Sequence, residues 1–183
     1  MNIFRRFIFS LLLISGCTLC FSGCGFYTFT GASIDYSKVK TVSIGNFYDE
    51  SNTGPANLSQ DFTNAIRDYF QQNTSLALVD EDGDLQIQGV ISGYRFSPQA
   101  PQSGGNTNLE GADAAGLERL TISVKADYIN TTDDTYNFEN KTFSFYDDYN
   151  PNTQDRTAAE QQLIPTITDQ IILDIFNASV ANW

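Results

Sequence analysis

Leu85-Gln86-Ile87-Gln88-Gly89-Val90-Ile91-Ser92-Gly93-Tyr94-Arg95-Phe96 is the stretch that decides the architecture. Apolar and polar residues alternate along it with the two-residue period of a half-buried strand. Leu85, Ile87, Gly89 and Ile91 point one way, and Gln86, Gln88, Val90, Ser92 and Tyr94 the other. Gly89 and Gly93 mark a bulge or a close approach of another backbone.

Working outward, Arg119 to Asn130 repeats the pattern, with Leu120, Ile122, Val124, Ala126 and Tyr128 on one face. Thr131-Thr132-Asp133-Asp134 is a turn, and Phe138 to Tyr149 is the hairpin partner, with Phe143 and Phe145 on one face. Between the long strands, Pro98 to Gly116 is a polar, Gly-rich loop, a length that is usually functional or disordered. Upstream, Leu76 to Val79 is a short strand. Asp80-Glu81-Asp82-Gly83-Asp84 is a solvated acidic turn; it lacks the spacing and the closing glutamate of a calcium-binding loop. A first strand runs from Lys38 to Phe47, with Val42 and Ile44 on one face, and Tyr48 to Ala56 is a loop broken by Gly54-Pro55.

Two segments carry the helical period instead. From Leu58 to Asn73, residues Leu58, Phe62, Ala65, Ile66 and Tyr69 form one stripe. Asn57 or Ser59 would cap its start, and Asp61 suits the first turn. From Ala158 to Ala181 a second stripe comprises Ile164, Ile167, Ile171, Ile175 and Ala178, widened by Ile172, Phe176 and Val180. Pro165 should start or kink this helix, and Trp183 should pack at the core edge. The order β-α-β-β-β-β-α predicts an α+β two-layer sandwich. A four- to five-stranded, mostly antiparallel sheet carries both helices on one face. The strands joined by the first helix are candidates for a parallel pair.

Composition narrows the chemistry. The formal net charge is −12, and the chain contains no histidine. A field of that sign does not attract nucleic acid or an anionic membrane surface. Without histidine there is no Ser-His-Asp or Cys-His system and no His-containing zinc site. No cofactor is called for by any motif.

The amino terminus reads as a lipoprotein export signal over residues 1–23. Arg5 and Arg6 precede an apolar run from Phe7 to Phe21. Phe21-Ser22-Gly23-Cys24 then resembles the lipobox of bacterial lipoproteins, in which the cysteine thiol is acylated and the chain is cut before it. Ile14-Ser15-Gly16-Cys17 is a rival site, but it leaves only the apolar residues Phe7 to Ile14. The run to Phe21 is shorter than the roughly 20 residues a membrane-spanning helix needs. Processing at Cys24 leaves 8 basic against 22 acidic residues and no second cysteine, so no disulfide forms within the chain. Residues 24–37 are then a tether and residues 38–183 a single domain.

Several segments resemble one family. They are Cys24-Gly25-Phe26-Tyr27-Thr28-Phe29-Thr30-Gly31-Ala32-Ser33-Ile34, Leu58-Ser59-Gln60-Asp61-Phe62-Thr63, Gly83-Asp84-Leu85-Gln86-Ile87-Gln88-Gly89 with Ile91-Ser92-Gly93-Tyr94, Arg119-Leu120-Thr121-Ile122-Ser123-Val124, and Asp174-Ile175-Phe176-Asn177-Ala178-Ser179-Val180-Ala181-Asn182-Trp183. Together these resemble LptE, the lipopolysaccharide-assembly lipoprotein, in its Bacteroidetes-type form. The resemblance implies two helices against a four-stranded sheet, a lipid anchor in the outer membrane, and a periplasmic face. It implies a non-catalytic role as plug and partner of the LptD-type β-barrel in delivering lipopolysaccharide. By resemblance to lipoproteins of that bacterial group, whose surface-exported members often carry acids just after the cysteine, Gly25-Phe26-Tyr27 with no acid before Asp35 implies a periplasmic face. For local contact with anionic lipopolysaccharide, Arg119 and Lys125 are the basic candidates, on a strand beside the long loop.

The alternative is a lipid-anchored glycan-binding module or hydrolase. Its motivation is Tyr94, Tyr128, Tyr146, Tyr149 and Trp183 as stacking platforms, with Asp147 and Asp148 as carboxylates. Adjacent strand residues point to opposite faces, so those two acids would not address one bond.

The lipobox reading predicts that Cys24→Ser shifts the chain from the membrane pellet to the soluble fraction. Intact-mass analysis of the unsubstituted protein should show an acylated amino terminus at Cys24. An unmodified terminus, or unchanged fractionation of the variant, contradicts it.

Overall fold

A computed structural model describes residues 34–99 and 116–180. Cys17, Cys24, Trp183 and most of the 98–116 loop lie outside the described residues.

Among the described residues, six strands and two α-helices follow in order: β1 (Thr41–Ile44), β2 (Tyr48–Asp49), α1 (Leu58–Asn73), β3 (Ala77–Val79), β4 (Leu85–Pro98), β5 (Glu118–Asn130), β6 (Phe138–Tyr149) and α2 (Arg156–Ser179), with a 3-10 turn at Asp134–Tyr136 between β5 and β6. The sheet runs β3-β1-β4-β5-β6, with β2 also on β4. Both helices cover one face, as the apolar alternation requires. β1 lies parallel to β3, to which α1 connects it, and also parallel to β4. The sheet is therefore mixed: parallel on the β3-β1-β4 side and antiparallel through β4-β5-β6.

The expected first strand is broken in two. Gly45 still donates its amide to Ile87 O (2.8 Å), but Phe47 turns inward and is fully buried, its ring 5.0 Å from that of Phe62. Pairing on β4 then resumes at Tyr48–Asp49, inside what reads as loop in the sequence. A break in a buried strand orphans backbone polar groups, and α1 supplies the partners. Thr63 Oγ1 accepts from the Phe47 amide (3.0 Å), and the Ser59 hydroxyl donates to the Phe47 carbonyl. Arg67 donates to Ile44 O through Nε (3.1 Å) and Nη2 (2.7 Å). Ser59 is used this way rather than as a cap; Asn57 does occupy the N-cap position, but its side chain makes no cap bond and instead donates Nδ2–H to Asp61 Oδ2 (2.6 Å).

The buried face of α1 comprises Leu58, Phe62, Thr63, Ile66 and Phe70; Phe70 rather than Tyr69 is the buried residue of the last turn, and Ala65 and Tyr69 are half-buried. Burial of each large apolar side chain contributes about 1.5–3 kcal/mol. α2 starts at Arg156, where Asp155 Oδ1 accepts from the Ala158 amide (3.0 Å). It passes through Pro165 without ending there. Pro165 and Gln161, whose carbonyl loses its amide partner, are both exposed, so water can satisfy that oxygen. Leu163 rather than Ile164 is the buried residue of that turn.

One correction matters for function. The pairing of β4 with β5 shifts between Ile91 and Gly93, leaving Ser92 as an extra residue. This bulge reverses the alternation beyond it. Tyr94, expected on the same face as Ser92, is turned into the core (6% exposed), and Arg95 is turned out. A second shift lies between Ala126 and Tyr128, opposite Asn140, which has φ 51°. It brings Phe138 onto the core side with Tyr128, ring centroids 5.6 Å apart.

The two glycines of β4 do different jobs. A Cβ on Gly89 would lie 2.3 Å from Lys125 O and 2.6 Å from Phe47 Cε1, so the absence of a side chain is what admits Phe47. At Gly93 the nearest atom would be Ser123 Cβ at 3.4 Å. Gly89→Ala should therefore cost about 2 kcal/mol or more through overpacking against backbone. Gly93→Ala should be neutral or stabilising by up to about 1 kcal/mol through the unfolded chain. Urea unfolding of both variants checks the contrast, and equal midpoints would contradict it.

Candidate functional site

The helices leave the other face of the sheet open. From β4 it carries Gln86, Gln88, Ser92 and Arg95; from β5, Arg119, Thr121, Ser123, Lys125 and Asp127; from β6, Thr142, Ser144, Tyr146 and Asp148. Side chains directly opposite follow from the register, such as Ser123 with Ser144 and Lys125 with Thr142. A row of hydroxyls crosses three strands. Ser92 donates to Ser123 O (3.3 Å), the Ser123 and Ser144 hydroxyls are 2.9 Å apart, and Ser144 donates to Ile122 O (3.1 Å). The face is polar and largely uncharged along its middle.

Both basic candidates lie on this face, but six residues apart on one strand, or about 20 Å. Their surroundings differ. Arg119 is engaged: its Nε donates to Asp148 Oδ1 (2.7 Å), its Nη2 to Asp148 Oδ2 (2.8 Å), and its guanidinium sits 3.6 Å from the Tyr146 ring centre. The hydrogen bonds to Asp148 push the arginine pKa further up, so it stays charged, with that charge already matched. Lys125 is exposed and forms no ion pair with a described residue.

Arg95 is the cation that sequence reasoning misses. Strict alternation places it in the core; the Ser92 bulge turns it out. Gly93 was the only local signal. Arg95 borders a groove of about 490 Å³ lined by Ser51, Thr53, Ser92, Thr121 and Ser123. It too makes no ion pair with a described residue.

At the loop end of the sheet a clasp joins β5, β6 and α2. The Tyr149 hydroxyl donates to Glu118 Oε2, and Arg156 Nη2 lies 2.6 Å from Glu118 Oε1. The Arg156 guanidinium also lies over the Phe96 ring, 4.4 Å from its centre. Nearby, the Tyr94 hydroxyl donates to Glu160 Oε1 (2.8 Å). Burial, then that carboxylate, raises the Tyr94 pKa far above its usual value, so the phenol stays protonated.

Among the described residues, which leave out Trp183, the glycan-stacking arrangement does not form. Tyr94, Tyr128 and Tyr149 are 6%, 2% and 7% exposed and present no free ring face. Tyr146 is 49% exposed, but Arg119 occupies one side of its ring. Asp148 is held by Arg119, and Asp147 accepts the amide of Asp148 (2.8 Å). Among the described residues no group of three or more acidic or cysteine side chains is placed to hold a metal.

A family model described as LptE, lipopolysaccharide-assembly, matches residues 39–179. No curated protein matches. Solved structures with a similar fold include a minor lipoprotein from Acinetobacter baumannii, 16% identical, covering 75% of this chain and 87% of that one, at a TM-score of 0.46. The rare lipoprotein B from Shewanella oneidensis is 11% identical, with 76% and 90% covered and a TM-score of 0.42. An uncharacterized lipoprotein B from Nitrosomonas europaea is also 11% identical, with 75% and 79% covered and a TM-score of 0.43. Likeness at that level carries no argument about what this chain binds.

The clasp gives the loop end a pH signature. The Tyr149 hydrogen bond first, and Arg156 next, lower the Glu118 pKa below its ordinary 4.5. A carboxyl depressed by folding contributes stability above its unfolded pKa and loses it as pH falls through the folded value. Glu118→Gln should therefore lower the urea midpoint at neutral pH, and the deficit should shrink at about pH 3.5. A deficit that is unchanged or grows in acid contradicts the clasp.

Proposed function

This chain belongs to the LptE lipopolysaccharide-assembly family, and from that membership we propose that it is a lipid-anchored, non-catalytic partner of an LptD-type outer-membrane barrel. The carrying observation is the family match over residues 39–179, nearly the whole folded domain. A role in lipopolysaccharide assembly follows from the family; the barrel partner, the anchor and the periplasmic orientation are our reading.

Physical features support it. A compact domain of about 150 residues has a radius of gyration of about 15 Å, so only a barrel at the large end of the known range would admit it as a plug. The lumen of such barrels is polar, which suits a hydroxyl-rich open sheet face better than lipid would. Anchoring falls to Cys24, since a chain of this acidity gains nothing from an anionic membrane surface.

Lipopolysaccharide is anionic, so contact with this acidic body has to be local. We assign it to the open face. Arg119 and Lys125 remain the named candidates, with distinct roles: Lys125 and Arg95 offer charge that no described residue matches, while Arg119 offers its charge only in company with Asp148.

Depletion of the protein should lower surface lipopolysaccharide, and pull-down from detergent-solubilised envelope should recover a large barrel protein. Lys125→Glu combined with Arg95→Glu should reduce lipopolysaccharide capture by the purified protein several-fold while leaving barrel recovery intact. Normal surface lipopolysaccharide after depletion rejects the reading.

A further inference from the structure

The sheet has two edges, and they are treated differently. β3 closes one side with three residues. β6, on the other side, runs for twelve residues and, among the described residues, pairs only with β5. The direction of its free backbone groups follows from β5. At one end of β5 the Leu117 carbonyl accepts from Gln99, and at the other the Thr131 amide donates to Asp84 O. Odd-numbered groups of β5 thus face β4, and its even-numbered groups face β6. Leu120, Ile122, Val124 and Ala126 pair with Asp147, Phe145, Phe143 and Lys141. That leaves the amides and carbonyls of Thr142, Ser144 and Tyr146 pointing off the sheet.

Both ends of this free stretch are blocked. On one side Asn140 interrupts the register with its positive φ. On the other, the outward amide of Asp148 is taken by Asp147 Oδ1 at 2.8 Å. Between them lies Thr142-Phe143-Ser144-Phe145-Tyr146, uncharged, flanked by Lys141 and Asp147.

We propose that this edge binds the same edge of a second copy, β6 running antiparallel to β6 about a two-fold axis at Ser144. In that register Ser144 faces its own counterpart, and Thr142 faces Tyr146 of the second copy. All three are residues whose backbone groups have no partner among the described residues, so the pairs exchange hydrogen bonds. Phe143 falls opposite Phe145 on the helix side. Lys141, whose ammonium now sits 5.0 and 5.4 Å from the Phe138 and Phe143 ring centres, falls opposite Asp147 twice over. A one-residue slip would separate those charges and turn the phenylalanines to the wrong face. The sequence is therefore self-complementary in one register, and the contact is isologous. The net charge of −12 repels two copies at long range, so what holds them is these short-range pairs. The inference does not depend on the barrel reading: it concerns the chain alone, without any partner.

The test uses the full chain, purified in detergent without a barrel protein. Density-matched sedimentation should show a concentration-dependent dimer. Lys141→Asp and Asp147→Lys should each weaken it by about tenfold or more, and the double variant should restore it to within about threefold. Circular dichroism of each charge variant separates loss of the contact from loss of the fold. A second measurement keeps the register in view. Ser144→Cys should cross-link across the axis with a short bis-maleimide at least about tenfold more than Thr142→Cys, whose thiols would lie about 14 Å apart along the strands. The unsubstituted chain gives the background from its own cysteines. A monomer at all concentrations, equal cross-linking at the two positions, or no rescue in a folded double variant overturns the proposal. The first of these is also the expected result if another segment of this chain occupies the edge.

Discussion

Both helices pack on the same face of the sheet, and that asymmetry governs the molecule. Each strand residue has to lie on the dry side or the wet side, and a one-residue error turns a whole strand over. This chain meets the constraint with two corrections rather than with unbroken alternation. The extra residue at Ser92 delivers Tyr94 to the core and Arg95 to water. The irregularity at Asn140 delivers Phe138 to the core beside Tyr128. Between those points β5 runs regularly, with Leu120, Ile122, Val124, Ala126 and Tyr128 all buried. It is the reference against which both neighbours are adjusted.

A third departure, the break after Ile44, needs partners from outside the sheet. Polar side chains from α1 provide them, so Ser59, Thr63 and Arg67 act as substitutes for ladder hydrogen bonds. Phe47 gains full burial from the same kink, and Gly89 beneath it supplies the room. The helix therefore holds the broken strand by hydrogen bonds as well as by its apolar stripe. This is why hydroxyl residues stand inside an otherwise apolar face.

Much of this was legible in the sequence, and the reason for each miss is specific. Both helices, the three long strands and the parallel option for the helix-linked pair follow from period and order. Bulges do not, because their cause is cross-strand register, which no local window contains. Ser92 looks like any other outward strand residue until its neighbours are known. Phe47 reads as the last residue of a strand; only Gly89, forty-two positions later, explains its inward turn. Of the site residues, Arg119 and Lys125 are legible as members of one strand, but the difference in their surroundings is invisible in the sequence. Asp148, which engages Arg119, arrives through hairpin pairing alone. Arg95 was hidden by the bulge.

The treatment of cations completes the logic. Eight basic residues follow position 24, against 22 acids. Several are already used for structure: Arg67 on the broken strand, Arg156 on Glu118, Arg119 on Asp148. Lys141 leans over the rings of its own strand, at one end of the free edge. In an isolated chain such a lysine guards an exposed edge, since its burial against a foreign strand is costly. Its guard is not uniform, however. A partner strand that places a carboxylate opposite that lysine removes the cost, and β6 itself carries one at Asp147, spaced symmetrically about Ser144. The same two residues that exclude strange strands thus select one register of a like one, because exclusion and selection here are a single electrostatic term with opposite signs.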